Sequence, residues 1–194
     1  MRKRIANLTS NIFSPFVIGL VLIPLVSFKA TISTFDAIKW SLILIALSIL
    51  PVLLFAVYLV RRNQLDSVFA NTRQQRIRIY ALAIILIGMS CILLFTLKAP
   101  LSLLALFIAV FSANLVFTGI NFWWKISLHT AFITAAVTLL FTLYGFMSAV
   151  SVVLIPLVGW ARIELGHHSL AQTVTGALLA ASILVAVFYL FGLI

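Results

Sequence analysis

Apolar residues run along this chain in long blocks that are separated by short polar interruptions. An α-helix rises 1.5 Å per residue, so roughly 20 apolar residues cross the hydrocarbon layer of a membrane. Lipid offers no partner to an open peptide group, and spanning segments of this kind are therefore helical. The pattern predicts an all-α fold, a polytopic transmembrane helical bundle of about seven spans with six as the alternative, in a single domain over residues 1–194. The predicted spans lie at about 11–32, 37–60, 79–97, 99–119, 125–144, 147–162 and 168–193.

Composition excludes a soluble globular protein. Hydrophobic residues make up 64% of the chain and charged residues 8%, whereas a soluble domain has roughly 25% charged residues. Met1–Arg4 and the apolar run after it resemble a signal peptide, but residues around Ser27–Ala30 lack the small-residue pattern of a cleavage site. We therefore expect the first span to be a retained anchor. Cys91 is the single cysteine, so no framework of disulfides is expected.

The net charge of +10 indicates orientation in a membrane and not a nucleic-acid partner. If the seven spans alternate sides, ten of the 13 Lys and Arg residues fall on one side. Cytoplasmic loops carry an excess of Lys and Arg, so the N-terminus and the candidate active face are predicted to be cytoplasmic, and the C-terminus external. Attraction to anionic headgroups is a secondary effect. The ten residues are Arg2, Lys3, Arg4, Arg61, Arg62, Arg73, Arg76, Arg78, Lys125 and Arg162, and the other three are Lys29, Lys39 and Lys98.

Three polar segments are predicted to meet on that cytoplasmic face. They are the long loop 61–79, the stretch Lys125–His129 and the stretch Arg162–His168. Each is separated from the next by two predicted spans, and an even number of crossings returns the chain to the same side. The polar residues of the chain are therefore expected to form one cluster at the membrane surface.

The residues in this cluster suit an anion. His129 follows Ser127 in the first turn of the fifth span, and His168 and Ser169 open the seventh. Helix N-termini present free amides and about half a positive charge, which favour an anion. Arg162 closes the sixth span with a fork of donors that matches phosphate oxygens. Two imidazoles in such a pocket indicate phosphoryl chemistry, with one as the nucleophile and one as the proton donor.

Further residues extend the predicted pocket. Gln172 follows His168 by four residues, so both share a helix face, and its side chain can accept one imidazole N–H. The other ring nitrogen then keeps the lone pair that attacks. Lys125 and the arginines of the polar loop add positive charge. These arginines are Arg73, Arg76 and Arg78.

A simpler interpretation of each residue by itself stays open. Interfacial His and Arg side chains often sit at headgroup depth without a ligand, and arginines near span ends record topology. Glu164 is expected to be a solvated partner of a nearby Arg, and His167 to be a neighbour of the site without a role in it. The joint occurrence of Ser-x-His and Arg-x5-His-x3-polar on one side favours the functional interpretation.

Two segments resemble signatures of the phosphatidic acid phosphatase type 2 superfamily, which covers membrane lipid phosphatases and the related haloperoxidases. Residues 121–131 resemble the second signature, Pro-Ser-Gly-His, and residues 159–176 resemble the third, Ser-Arg-x5-His-x3-Asp. The resemblance extends over residues 61–194, which would form a phosphatase-like core.

The resemblance implies a role for each matched residue. Arg162 would bind phosphate, His168 would be the nucleophile and His129 the general acid, with Ser127 matching the second signature. Gln172 in place of Asp removes a negative charge that would stabilise an imidazolium. The other departures are Ile126 for Pro, Leu128 for Gly and Ala161 for Ser. The first signature, Lys-x6-Arg-Pro, has no clean counterpart, and its nearest stand-ins are Arg73, Arg76 and Arg78.

The expected function is that of an integral membrane lipid phosphatase that hydrolyses a lipid phosphate or diphosphate through a phosphohistidine at His168. No metal or other cofactor is expected. Arg162, Lys125, the loop arginines and the Ser127 amide would stabilise the phosphoryl oxygens. The main alternative is a catalytically weak or inactive protein that binds lipid phosphates or takes part in their transport, and a structural membrane partner is a third. The expected partners are a lipid phosphate substrate and membrane lipids, while the oligomeric state stays open.

Overall fold

The computed structural model describes residues 1–70 and 72–194, and every regular element in these ranges is a helix. The all-α prediction is confirmed. Ile45–Ile49 form a π-helical turn, and Gly145–Val153 form a 3₁₀ helix. The α-helices of the described ranges are α1 (Arg2–Ile12), α2 (Pro15–Ala30), α3 (Thr34–Leu44), α4 (Leu50–Arg61), α5 (Arg73–Thr96), α6 (Leu101–Asn121), α7 (Leu128–Tyr144), α8 (Leu154–Glu164) and α9 (Leu170–Leu190).

Six helical segments of the described chain are long and apolar enough to cross a membrane, as expected of an integral membrane protein. The sequence predicts about seven spans because it separates 125–144 from 147–162, and these two blocks form the two halves of one helical segment of 37 residues. The fold therefore agrees with six to seven spans. The six segments are Arg2–Ala30, Thr34–Arg61, Arg73–Thr96, Leu101–Asn121, Leu128–Glu164 and Leu170–Leu190.

The longest of these segments folds back on itself at Gly145. This residue has φ of 61°, in the left-handed region that glycine adopts without a Cβ clash. Ile133 of α7 and Val158 of α8 share a buried apolar cluster. A Cβ at Gly159, near the end of α8, would lie 3.8 Å from the methyl group of Thr130, near the start of α7. α7 and α8 are therefore antiparallel, and the start of α7 lies beside the end of α8.

The contacts within the described chain divide it into two compact units. The first unit contains Met1–Leu22 and Lys125–Ile194, and the second contains Ile23–Trp124. In the first unit, α1 packs against α8 and α7 packs against α9. Residues from both ends of the sequence therefore share one core.

The second unit contains α3, α4, α5 and α6. α5 packs against α6 and against the π-helical turn between α3 and α4. That turn ends two residues before Pro51, which has no N–H to donate and so interrupts the regular helical bonding of the turn before it. The segment between α4 and α5 is fixed by a buried apolar cluster that includes Leu59, Leu65 and Ala70.

Two helix starts differ from the sequence prediction. The first span is predicted from about residue 11, but the chain is already helical from Arg2 because the small residues of α1 pack against α8. The third span is predicted from about residue 79, but α5 begins at Arg73. Its first two turns are polar, which hydropathy alone assigns to a loop. Residues 73–79 of the predicted loop 61–79 therefore belong to α5, and residue 71 of that loop lies outside the described residues.

Candidate functional site

Arg162 lies in the last turn of α8, where the chain turns sharply toward α9. Gly166 has φ of 71°, and its N–H donates to the carbonyl oxygen of Ile163 at 2.9 Å. The N–H groups of His167 and His168 both donate to the carbonyl oxygen of Arg162, at 3.1 and 3.3 Å. The bonds of Gly166 and His167 form a Schellman motif, which closes a helix at a left-handed glycine. This turn holds the backbone of His168 next to that of Arg162.

The ring of His168, just before α9, is held by Gln172. Ser169 is the N-cap of α9, and its Oγ accepts from the N–H of Gln172 at 3.3 Å. In return, Oε1 of Gln172 accepts from the N–H of Ser169 at 3.2 Å, which completes a capping box. The same Oε1 lies 3.1 Å from Nδ1 of His168. His168 is 6% exposed, so the ring is held in a buried position.

The contact with Gln172 selects one tautomer of His168. The backbone N–H of Ser169 only donates, so the Gln172 atom that it contacts is the amide oxygen. An oxygen of this kind only accepts, and the hydrogen bond to the ring therefore places the proton on Nδ1. Nε2 of the neutral ring then carries the lone pair, as a nucleophile requires. The contact that the sequence predicts between Gln172 and the imidazole is present.

His129 lies in the first turn of α7, and this turn is fastened to the start of α9. Ser127 caps α7, because its Oγ accepts from the N–H of Thr130 at 3.4 Å. The backbone N–H of Ser127 donates to the carbonyl oxygen of Gln172 at 3.3 Å. His129 is 3% exposed. The two imidazoles therefore lie at adjoining helix starts, at the same end of the first unit.

The two helix starts approach closely because Gly176 of α9 has no side chain. A Cβ at this position would lie 2.7 Å from the carbonyl oxygen of Ser127 and 2.9 Å from a methyl carbon of Ile126. Both distances are shorter than real Cβ contacts, so any larger residue would push the helices apart. Gly176 therefore sets the spacing between the turn that carries His129 and the turn that carries His168.

The side chain of Arg162 extends to α1. Its Nη1 donates to Oγ of Ser10 at 2.7 Å, and both residues are 2% exposed. A second contact joins α1 to α8, because Arg2 forms an ion pair with Glu164 at 3.3 Å between Nη2 and Oε2. The predicted pairing of Glu164 with a nearby Arg is thus present. Ser10, in contrast, is a site residue that the sequence interpretation missed.

A signal for Ser10 is present in the sequence as a spacing of small residues. Ala6 and Ser10 are four positions apart, so they share one face of α1, and Thr9 lies beside them. All three are buried. The basic and polar character of Arg2–Ile12 obscures this pattern, because such a composition is also typical of a solvated tail.

Two of the predicted phosphate contacts lie at the start of α7. The amide of Ser127 donates to the carbonyl oxygen of Gln172 and so fastens α7 to α9, instead of facing a ligand as predicted. Lys125 is half-buried in the short segment that precedes α7. Ser127 therefore has an anchoring role in this structure.

The three candidate arginines of the predicted loop belong to the second unit, on the first turns of α5. Arg76 is 3% exposed, and its Nε donates to the carbonyl oxygen of Ala70 at 2.9 Å. Arg78 is exposed, and its Nη1 donates to Oε1 of Gln64 at 2.9 Å. These contacts give Arg76 and Arg78 structural roles that fix the segment between α4 and α5. Arg73, half-buried, is the first residue of that helix.

The first unit thus gathers two buried imidazoles, a buried guanidinium and two helix starts at one end. A guanidinium and helix N-termini favour an anion with several oxygens, such as a phosphate group. The Nδ1-protonated ring of His168 adds a lone pair on Nε2. Over residues 1–70 and 72–194, no group of three or more His, Cys, Asp or Glu side chains could hold a metal ion. The charge and the donor groups of this cluster suit an anion with several oxygens.

No protein-family model matches this sequence, and comparison with curated proteins and with solved structures likewise gives no match. Function is therefore inferred from the side chains and contacts of the site.

Proposed function

We propose that this protein is an integral membrane lipid phosphatase that hydrolyses a lipid phosphate or diphosphate through a phosphohistidine, without a metal ion. The observation that carries the proposal is the pairing of His168 with Gln172 beside Arg162. In a nucleophilic imidazole, the N–H of the ring nitrogen that does not attack must be held by a hydrogen bond. A transferred phosphoryl group needs a fixed positive charge at its oxygens. The resemblance to the third signature of the phosphatidic acid phosphatase type 2 superfamily points to the same reaction.

In the first step, Nε2 of His168 attacks phosphorus and the bond from phosphorus to the lipid oxygen breaks. His129 donates a proton to that oxygen, so that a lipid alcohol leaves, or a lipid monophosphate when the substrate is a diphosphate. Arg162 stabilises the non-bridging oxygens of the phosphoryl group. The Nδ1 proton of His168 stays in its hydrogen bond to Gln172, and the enzyme now carries a phosphohistidine.

In the second step, His129 acts as a base because it has lost its proton. It accepts a proton from water, and the hydroxide that forms attacks phosphorus. The phosphorus–nitrogen bond breaks, its electron pair returns to Nε2 of His168, and inorganic phosphate leaves. Both imidazoles are then in their starting protonation states, so the cycle needs no cofactor.

A substrate with a long apolar tail suits the position of the site. Apolar side chains on the outer face of α9 continue from the helix start at a spacing of four residues: Leu170, Val174 and Leu178 are 67%, 46% and 64% exposed. Residues at this spacing form one stripe along a helix. A headgroup bound at His168 can therefore leave its tail along this stripe, in the hydrocarbon layer.

We assign the site to the cytoplasmic side of the membrane. Arg2 contacts Glu164, which supports placing the basic start of α1 at the same end as the site. At the opposite end of this unit, residues 144–153 and 190–194 contain no Lys or Arg. An excess of Lys and Arg marks the cytoplasmic side of a membrane protein. The basic residues of the first unit are Arg2, Lys3, Arg4, Lys125 and Arg162.

Phosphate release by the purified protein in detergent micelles tests the proposal. Phosphatidic acid and an isoprenyl diphosphate represent the two substrate classes, each with and without EDTA. We expect release that EDTA leaves unchanged and that His168→Ala lowers by about a thousand-fold or more, because the nucleophile is lost. His167→Ala is the matched control, since it removes the adjacent imidazole, and it should keep most of the activity. Equal release from His168→Ala and the wild type would refute the proposal.

A second candidate is a lipid-phosphate-binding or transport-associated protein without turnover. The neutral side chain of Gln172 favours it, because an amide orients the imidazole but gives an imidazolium no compensating charge. In that case, the wild-type protein binds lipid phosphates and releases no phosphate from any of them. His168→Ala would then change affinity alone.

A further inference from the structure

We infer that Ser10 is a positioning residue of the phosphate site, whose hydroxyl holds the Arg162 guanidinium in the orientation that binds phosphoryl oxygens. The inference rests on the proposed function, which it extends from the signature-bearing helices to α1. Ser10 lies outside both segments that resemble the phosphatase signatures, residues 121–131 and 159–176.

The contact joins two buried groups from distant parts of the sequence. Nη1 of Arg162 donates to Oγ of Ser10 at 2.7 Å across a separation of 152 residues. Serine has a short side chain, so this bond requires close approach of α1 to α8. The buried face of α1 permits it, because that face consists of the small residues Ala6, Thr9 and Ser10.

The hydroxyl of Ser10 is uncharged, and this property suits it to position the Arg162 guanidinium. A carboxylate partner would neutralise the guanidinium and compete with a phosphate group for it. The hydroxyl of Ser10 accepts one of the five guanidinium N–H groups and leaves the charge of Arg162 in place. The carboxylate of Glu164, two residues after Arg162, forms an ion pair with Arg2. A long, flexible side chain is thereby fixed without loss of its attraction for an anion.

Ser10→Ala tests the role, because alanine removes the acceptor and favours the helix. Thr9→Val is the matched control, since it removes the neighbouring buried hydroxyl at nearly constant volume. Two quantities are measured on the full chain: the affinity for inorganic phosphate and kcat/KM for phosphatidic acid. We expect Ser10→Ala to lower both by roughly ten- to a hundred-fold, as for a hydrogen bond to a charged group. Thr9→Val should stay within about two-fold of the wild type.

A double-mutant cycle separates positioning from packing. In an Arg162→Lys background, Ser10→Ala should have no further effect, because the group that Ser10 positions is gone. Ser10→Thr keeps the hydroxyl and should restore the wild-type values. A packing defect would instead lower the melting temperature and persist in the Arg162→Lys background.

The outcomes distinguish this inference from the phosphatase proposal. If Ser10→Ala matches Thr9→Val in both quantities, or keeps its full effect in the Arg162→Lys background, the inference is wrong while the phosphatase proposal stands. If the wild type binds phosphate more tightly than Ser10→Ala but releases none from phosphatidic acid, turnover is refuted and the role of Ser10 stands. A wild type that neither binds nor releases phosphate overturns both.

Discussion

The ring of His168 owes its orientation to a single oxygen, Oε1 of Gln172, which also closes the capping box of α9. One side chain therefore fixes both the helix start and the tautomer of the candidate nucleophile. A carboxylate at this position would perform the same two tasks and add a negative charge. That charge would stabilise the His168 ring as it becomes cationic during attack.

Gln172→Glu is predicted to raise turnover. Glutamate has the same length as glutamine, so it should still accept from Ser169 and from Nδ1 of His168, and its charge should stabilise the imidazolium. We expect kcat to rise by about ten-fold, in line with general acid–base contributions. Gln172→Ala, which removes both contacts, should lower kcat. Single-turnover phosphate release measures the effect, and a lower kcat for Gln172→Glu than for Gln172→Ala would contradict this role.

At the scale of elements, the site depends on how closely α7 and α9 pack at their starts. The amide of Ser127 reaches the carbonyl oxygen of Gln172 only because Gly176 leaves room for the α7 backbone. Gly166 ends α8 in the left-handed conformation that brings His168 back beside Arg162. Two glycines therefore determine where the imidazoles and the guanidinium lie.

Gly176→Ala is predicted to destabilise the protein and to lower its activity. The new Cβ would lie 2.7 Å from a backbone oxygen, so α7 and α9 must separate. Overpacking of this kind costs typically about 1–3 kcal/mol. Gly159→Ala is the control in the same unit, because its Cβ would meet only a methyl carbon at 3.8 Å and should be tolerated. Thermal unfolding measures the difference, and equal melting temperatures for the two variants would argue against the close approach.

The helices of the site could be predicted from the sequence, but the contacts between them could not. The ends of apolar blocks place His129, Arg162 and His168 at helix ends, because the change from apolar to polar residues is local. The contact between Ser10 and Arg162 could not be predicted in this way, because it depends on packing between residues that are 152 positions apart. The sequence likewise predicts a phosphate contact for the amide of Ser127, because only the packing of α9 shows that its acceptor is the carbonyl oxygen of Gln172.

The charge of a basic residue does not predict which contacts its side chain makes. Charge and position predict that Arg76 is a phosphate ligand, whereas its Nε donates to the carbonyl oxygen of Ala70. The polar first turns of α5 gave no hydropathy signal for a helix. In both cases the local sequence describes polarity, and the tertiary structure decides which polar groups satisfy one another.

At the scale of the whole molecule, a net charge of +10 is distributed unevenly along an apolar chain. Within the first unit, the basic residues lie at the end that holds the candidate site, and the far end has none. From the preference for Lys and Arg on the cytoplasmic side, we predict that this end of the unit faces the cytoplasm. A lipid phosphate would reach the site from the inner leaflet.

Thiol labelling in intact cells is predicted to place Met147 outside and Asn7 inside. Cys91 is the single cysteine, so Cys91→Ala gives a thiol-free background. Met147 is 91% exposed in the 3₁₀ helix, and Asn7 is exposed on α1. In this background, Met147→Cys should react with a membrane-impermeant maleimide, while Asn7→Cys should react only after permeabilisation. The reverse pattern would place the site on the external face.

Capture of the covalent intermediate tests whether His168 becomes a phosphohistidine. The purified protein is mixed with a lipid phosphate that carries a radiolabelled phosphoryl group, and the reaction is quenched before turnover is complete. We predict an acid-labile, base-stable label on the wild-type protein and no label on His168→Ala. Phosphate release without any label on the protein, or a label that persists in His168→Ala, would contradict it.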